Sequence, residues 1–414
     1  MIGAWSERFA RIEYALVCAL ALVLPTLESP KNLAVFLLLL TWVVHRIVAR
    51  DVVLRRPDWV EASLLFILAA CILSTVFNWP LVNGLKGLKD TLVQVFVFWL
   101  IYRAGYSERQ YLIIAAMVVA GVLIGLGWGV LEVAQGRRGQ LQFHSAGIVT
   151  QSALYLGIAL ATTFAVAWTR PVALSGIRMV RHPAWWWTAA VMMVIGLFLM
   201  ASRGAILAVV VTYVIYALVT GRRALWSIIL GAMGLAVVLA LILPDSFNQS
   251  RWLTKTREMT STGRLVAADK ERVDNWRIAI ARVAQGDAVI VGIGPRNFAS
   301  IDHTAMSFDP PLVIGSGRLN HAHNLYLNKL VEEGILGLAA LLLFFGVVIS
   351  RLVRDWRRGE WLDWKWFAGV GALTIPGVAG LFGTPWYQEH ALLAMMILAI
   401  YLAPRSPGHA ARPS

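Results

Sequence analysis

Charge is scarce in this 414-residue chain. Asp, Glu, Lys and Arg together make up 14% of it, against about 25% in an ordinary soluble domain. Cysteine is scarcer still: Cys18 and Cys71 are the only two, and both fall inside apolar runs. That excludes a disulfide framework or a thiolate zinc site, and a buried apolar thiol is expected at each position. Internal repeats and low-complexity tracts are also missing. What is abundant is apolar side chain, at 58% of the residues. So apolar a composition excludes disorder and argues against an ordinary soluble enzyme. The formal net charge of +14 would suggest a nucleic-acid partner in a soluble chain. In a membrane chain it mainly sets orientation, and no nucleic acid is expected.

Apolar runs lie at about 12–27, 32–48, 59–77, 88–103, 110–131, 147–168, 185–201, 204–220, 225–243, 327–350, 364–382 and 388–403. Roughly twelve spans of about 20 residues use about 240 residues, which accounts for the apolar excess. The expected fold class is therefore an all-α integral membrane protein of about 12 transmembrane helices. The first run follows Arg8 and Arg11, has no small-residue cleavage site and is closely followed by another span, so a retained anchor is expected. With the N-terminus placed inside, the cytoplasmic side holds 20 Lys and Arg and the short outer loops hold 6. This asymmetry puts both termini in the cytoplasm. Trp185 to Trp187, Trp356, Trp361, Trp364 and Trp366 fall where an interfacial belt belongs.

Three parts follow from this layout: helices 1 to 9 over residues 1–243, one large outer loop over 244–326, and helices 10 to 12 with a short tail over 327–414. A loop of that length is more than a connection. Val273, Trp276, Ile280 and Val283 recur at three- and four-residue spacing, which predicts an amphipathic helix over 270–285 with those four on its buried face.

Four features could carry chemistry. Trp185 to Val219 holds a single charge, at Ser202-Arg203-Gly204. As one helix it would be roughly 52 Å long, too long for one span, so a tight turn is expected at Arg203. A cation there sits close to the lipid and either snorkels or serves an anion site. The loop carries Arg251, Lys255, Arg257, Arg264, Lys270, Arg272, Arg277, Arg282, Arg296 and Arg318 beside eight acids. Most of these form a solvated surface, and a few arginines could grip phosphate oxygens with the planar fork. Lys86 and Lys89 share one side of a helix start on the same outer face. Asn320-His321-Ala322-His323-Asn324 precedes the tenth span, with Asn324 as a candidate N-cap. A histidine at a helix N-terminus is held neutral, as a general base must be, or serves only as a polar cap. The His-x-His spacing could instead hold a metal with His303 or Asp302, but no thiolate or tight carboxylate cluster completes a shell. Gly292-Ile293-Gly294-Pro295-Arg296 lacks the third glycine of a nucleotide loop. Glu332 and Glu333, near the membrane boundary, are read as packing or orienting groups.

The run His323-Asn324, nine residues, Gly334, two residues and Gly337 resembles the signature of bacterial O-antigen ligases. Their superfamily also contains O-antigen polymerases and protein O-oligosaccharyltransferases. Ser202-Arg203-Gly204, Arg272-Val273-Asp274-Asn275-Trp276 and Gly292-Ile293-Gly294-Pro295 resemble its other landmarks in the same order. The resemblance implies glycosyl transfer on the periplasmic face of the inner membrane, with inversion and without metal or other cofactor. The implied donor is a glycan on undecaprenyl diphosphate and the implied acceptor is a sugar hydroxyl of lipid A-core. It implies His323 as general base, with Arg203 and Arg272 on the diphosphate. Lys86 and Lys89 are weaker candidates for that anion, and Arg264 and Arg277 rival Arg272. Arg272 alone satisfies the Arg-x-x-x-Trp spacing. His321 and Asn324 flank the base as further substrate-binding candidates. A polymerase commonly shows two sizeable outer loops, and a protein oligosaccharyltransferase a longer C-terminus. A transporter would show paired halves with broken helices at the midplane.

Overall fold

The computed structural model describes residues 2–49, 56–79, 81–143, 149–176, 182–221, 267–286, 288–313, 319–386 and 391–404. Among them are twelve α-helices and no strand. They are α1 (Ile2–Val23), α2 (Glu28–Ala49), α3 (Trp59–Val76), α4 (Leu81–Arg103), α5 (Glu108–Ala134), α6 (Val149–Thr169), α7 (Pro183–Leu199), α8 (Arg203–Thr220), α9 (Ala267–Ala284), α10 (Leu325–Arg357), α11 (Trp364–Ala379) and α12 (Leu392–Leu402). Six of these (α2, α3, α5, α6, α8 and α10) are long and apolar enough to cross a bilayer. The protein is a multi-pass, all-α membrane protein. Eleven of the expected apolar runs coincide with a helix of this set, and the run at 225–243 lies outside the described residues.

Local sequence explains where the helices begin. Asp58 and Ser107 close capping boxes with Glu61 and Gln110 at the starts of α3 and α5. Each box satisfies two backbone N–H groups that the first turn leaves open. Pro183 opens α7, where a missing N–H costs nothing. The expected break between α7 and α8 is present: Met200, Ala201 and Ser202 make the turn, and Arg203 is the first residue of α8.

In the bundle, α6 packs against α7, α8 and α11, while α12 packs against α4 and α11. α6 is buried from Val149 to Ala167. α10 lies along α3, and α1 is held between α2 and α5. The arginine-rich end is tied by ion pairs. Arg103 pairs with Glu61, Lys365 with Glu108 at 2.5 Å, and Arg351 with Asp355 at 3.3 Å. Pairing offsets the cost of bringing such charges near lipid.

The opposite end carries a second, smaller core. Ile278 and Ala279 of α9 meet Ala288, Ile293, Phe298, Ile301, Leu319, Ala322 and Val331. The helix expected over 270–285 is therefore present as α9, but its buried face is not the expected one. Val273 and Ile280 are exposed at 37% and 58%, while Asp274 and Asn275 are buried. The reason is polar bonding. Asp274 Oδ2 accepts from the Val313 N–H at 2.5 Å, and Asp274 Oδ1 lies 3.6 Å from Arg277. A buried carboxylate with partners can occupy a core face that an apolar count assigns elsewhere.

Candidate active site

The histidine run sits where this small core meets α10. Asn324 is the N-cap of α10: its side chain accepts from the N–H groups of Tyr326 and Leu327, both at 3.0 Å. Its amide donates to the Leu381 carbonyl at 3.2 Å, and the Leu325 N–H donates to the Gly380 carbonyl at 2.7 Å. Just before the cap, His323 has left-handed backbone, with φ of 51°. Ala322, fully buried, donates its N–H to Asn328 Oδ1 at 3.0 Å. With Ala322 pinned and the chain kinked at His323, the rings of His321 and His323 lie 4.2 Å apart between centroids, tilted by 50°. Left-handed backbone at a non-glycine residue costs energy, and such strain gathers at functional sites.

Arg272 of α9 acts electrostatically on both rings. Burial, followed by His321 and Arg272, pushes the His323 imidazole down to about 3. Burial and then Arg272 push His321 down to about 4. Desolvation and neighbouring charge thus both favour the neutral form of each ring.

The other candidates separate into those near this pair and those held elsewhere. Gly204, next to Arg203, lies beside Phe382: a Cβ built on it would be 3.6 Å from the Phe382 Cβ. Phe382 follows Leu381, the residue bonded by Asn324, so the start of α8 packs against the 380–382 turn. Arg203 is half-buried. Arg277 is engaged with its own surroundings. Its Nη2 donates to the Pro310 carbonyl at 2.5 Å and its guanidinium lies 5.3 Å from the Phe308 ring. Lys86 and Lys89 are exposed on α4, with Lys89 3.4 Å from Asp90. Arg264 lies outside the described residues. Asp302 accepts from the Thr304 N–H and hydroxyl, which hold its carboxyl below the usual range. His303 is buried. Among the described residues, no three His, Cys, Asp or Glu side chains converge as a metal shell would.

Gly334 marks a break inside α10, with φ of 69° and ψ of −167°, a region essentially reserved for glycine. The freed backbone groups pair with residues 289–294. Ile293 and Gly294 donate to the carbonyls of Val331 and Glu332, both at 2.9 Å. Ile335 and Leu336 donate back to Val289 and Ile290, at 2.8 and 3.3 Å. Ser74 of α3 also donates to the Glu332 carbonyl, at 2.7 Å. The glycine-rich segment that fails as a nucleotide loop is thus the patch for a broken membrane helix. Irregular backbone at such a level is tolerated only where it is satisfied within the protein.

Around this break lies a set of buried charges that motif reading did not assemble. Asp90 of α4 is ion-paired with Arg296, and Lys329 with Glu333. Glu332 accepts from the Phe298 N–H at 3.3 Å. Asp90, Arg296, Lys329, Glu333 and Trp386 line a cavity of about 30 Å³, enough for about two waters. Glu332 and Glu333 are both buried, and Glu333 is ion-paired with Lys329. The available sequence signal was Asp90 itself, an acid inside an apolar run.

Residues 188–342 match the family model described as O-antigen ligase. The match runs from α7 to the middle of α10 and takes in Arg203, Arg272, the histidine run and Gly334. Over that stretch, less than half of its length, the chain is similar to the O-antigen ligase family. Comparison with curated proteins gives no match.

Proposed function

We propose, from the similarity of residues 188–342 to the O-antigen ligase family and from the geometry around His323, that the chain is an inverting glycosyltransferase. It moves a glycan from undecaprenyl diphosphate to a sugar hydroxyl of lipid A-core, at the periplasmic face of the inner membrane. The observation that carries the reading is the grouping of Arg272 with the adjoining His321 and His323 rings at the capped start of α10. His323 takes the proton of the acceptor hydroxyl as that oxygen attacks the anomeric carbon. The bond to the diphosphate oxygen breaks, and the diphosphate leaves with its charge spread over its oxygens. Arg203 and Arg272 stabilise that charge, with Lys86 and Lys89 at the α4 edge of the same end. Fixed cations in a water-poor site are worth more than in solvent, and no metal is assigned to the step.

The same arrangement gives the donor a second role. Burial, His321 and Arg272 depress His323 well below working pH, which makes it a weak base. A diphosphate bound at Arg272 offsets that cation and raises the basicity of both rings. Donor binding thus primes the base before the acceptor arrives. Arg277 and Arg264 are secondary in this reading, since Arg277 is committed to Pro310 and Phe308.

The test is transfer by purified protein with undecaprenyl-diphosphate glycan and lipid A-core, without added metal or nucleotide. His323→Ala should reduce the rate about 10²–10⁴-fold while donor binding persists. Undiminished transfer by that variant removes the general-base role. A donor glycan that lengthens on its own carrier, with lipid A-core unchanged, identifies a polymerase instead.

A further inference from the structure

The segment that patches the broken helix also grips α4, along one face and at regular spacing. Asn83 donates to the Asn297 side-chain oxygen at 3.1 Å. Four residues on, Gly87 lies against Pro295: a Cβ there would stand 2.5 Å from the Pro295 Cβ, so only a glycine admits the contact. Three residues further, Asp90 is ion-paired with Arg296. Positions 83, 87 and 90 share a helix face. Lys86 and Lys89 stand exposed beside that face.

The other side of the same short segment is fastened to α10. Ile293 and Gly294 donate to Val331 and Glu332, and Phe298 donates to the Glu332 carboxylate. Asn297 is 1% exposed and donates to the Ile293 carbonyl at 2.9 Å, which closes the turn on itself. Arg296 takes left-handed backbone, with φ of 61°, to reach Asp90. A strained residue that commits its guanidinium to a buried acid on another helix is costly unless the connection matters.

We propose that residues 293–298 are a spacer locked between α4 and α10, with Asp90 and Arg296 as positioning residues that set the separation between the α4 lysines and His323. The proposal rests on the glycosyl-transfer reading for its catalytic consequence, though the spacer itself does not depend on it. A reacting pair misplaced by about 1 Å can lose about 100-fold in rate. A spacer that ties the cation-bearing helix to the base-bearing helix is therefore a rate-setting part, although neither Asp90 nor Arg296 acts on the glycan.

Two measurements on the full chain test it. The first is steady-state transfer, normalised to folded protein, for Arg296→Gln, Asp90→Asn, their double variant and Arg296→Lys. The expected result is a fall in kcat of about 100-fold in each single neutral variant, with a raised KM for the donor. The double variant should be no worse than either single one, because both remove the same contact. Arg296→Lys should recover part of the loss. The second measurement is the distance between spin labels at Leu85→Cys on α4 and Ile335→Cys on α10, with Cys18 and Cys71 replaced by alanine. Both label sites are about half exposed, at 51% and 52%. The parent should give one narrow distribution and Arg296→Gln a broader one. An unchanged distribution in Arg296→Gln overturns the spacer whatever the activity, as does a loss explained by folded yield alone with kcat and KM intact. A distribution narrow in the parent and broadened in Arg296→Gln, with a parent that transfers no glycan, supports the spacer and overturns the catalytic reading instead.

Discussion

Replacing Gly334 with alanine tests the broken helix directly. Two terms set the size of the effect. The backbone there has φ of 69° and ψ of −167°, which costs an L-residue about 1–3 kcal/mol. The added Cβ would stand 2.2 Å from the carbonyl oxygen of Ile290, and that oxygen is the acceptor for the Leu336 N–H. Displacing the strand-like partner endangers the bonds to Val289 and Ile290, at about 0.5–1.5 kcal/mol each. The sum is roughly 2–6 kcal/mol. Gly346→Ala is the internal comparison: the site is helical, no atom lies within 4 Å of its Cβ, and the same substitution should gain about 0.5–1 kcal/mol. The assay is unfolding of both variants in the same detergent, followed by transfer activity per folded molecule. Gly334→Ala with parental stability would refute the reasoning. A loss equal in the two variants would refute it too, by showing a generic response of α10.

The remaining predictions concern the site. Asn324→Ala removes the cap that serves Tyr326 and Leu327 and should cost about 0.5–2 kcal/mol, with His323 misplaced as well. A variant of unchanged stability and rate, by melting and transfer assay, would show that the cap is idle. Arg203→Ala and Arg272→Ala should weaken binding of a diphosphate donor, and lysine should restore little, because it lacks the bidentate fork. Full rescue by lysine in a donor-binding titration would reduce both to diffuse charge. Both histidines bind a proton less readily in the fold, at about 3 and about 4, than at their ordinary 6.5. Acid therefore favours the unfolded chain, so stability is kept above pH 6.5 and falls between 6.5 and about 3. Melting curves across that window should be flatter in His321→Phe, and identical slopes would exclude the linkage.

Much of the fold was legible because the bilayer imposes a coarse rule. The stretch from Trp185 to Val219 is too long for one crossing, and that length alone located the turn at Arg203. The start of α10 was legible from Asn324, since caps depend on a single residue type in a local position. The face of α9 was not. Apolar periodicity treats Asp274 and Asn275 as outward residues, whereas bonds to Val313 and Arg277 take Asp274 inward. The spacer was invisible for a different reason. Asp90 and Arg296 are 206 residues apart in the chain, and no local pattern couples them. Gly334 could be recognised as part of a signature, but its purpose emerged only with Ile290 placed against it.

The long separation of these partners has a consequence for biosynthesis. Ser74 and Asp90 are made early, but the groups that satisfy them come 258 and 206 residues later. While α3 to α8 are threaded into the membrane, Asp90 lacks its ion pair with Arg296. An unneutralised carboxylate among apolar helices is costly, so α4 has reason to stay mobile or shallow until Arg296 arrives. The last pairing, across Gly334, waits for α10 itself. The site is therefore assembled late in translation, and a nascent chain halted before residue 336 would carry Arg203, Arg272, Arg296, His321 and His323 without the frame that aligns them.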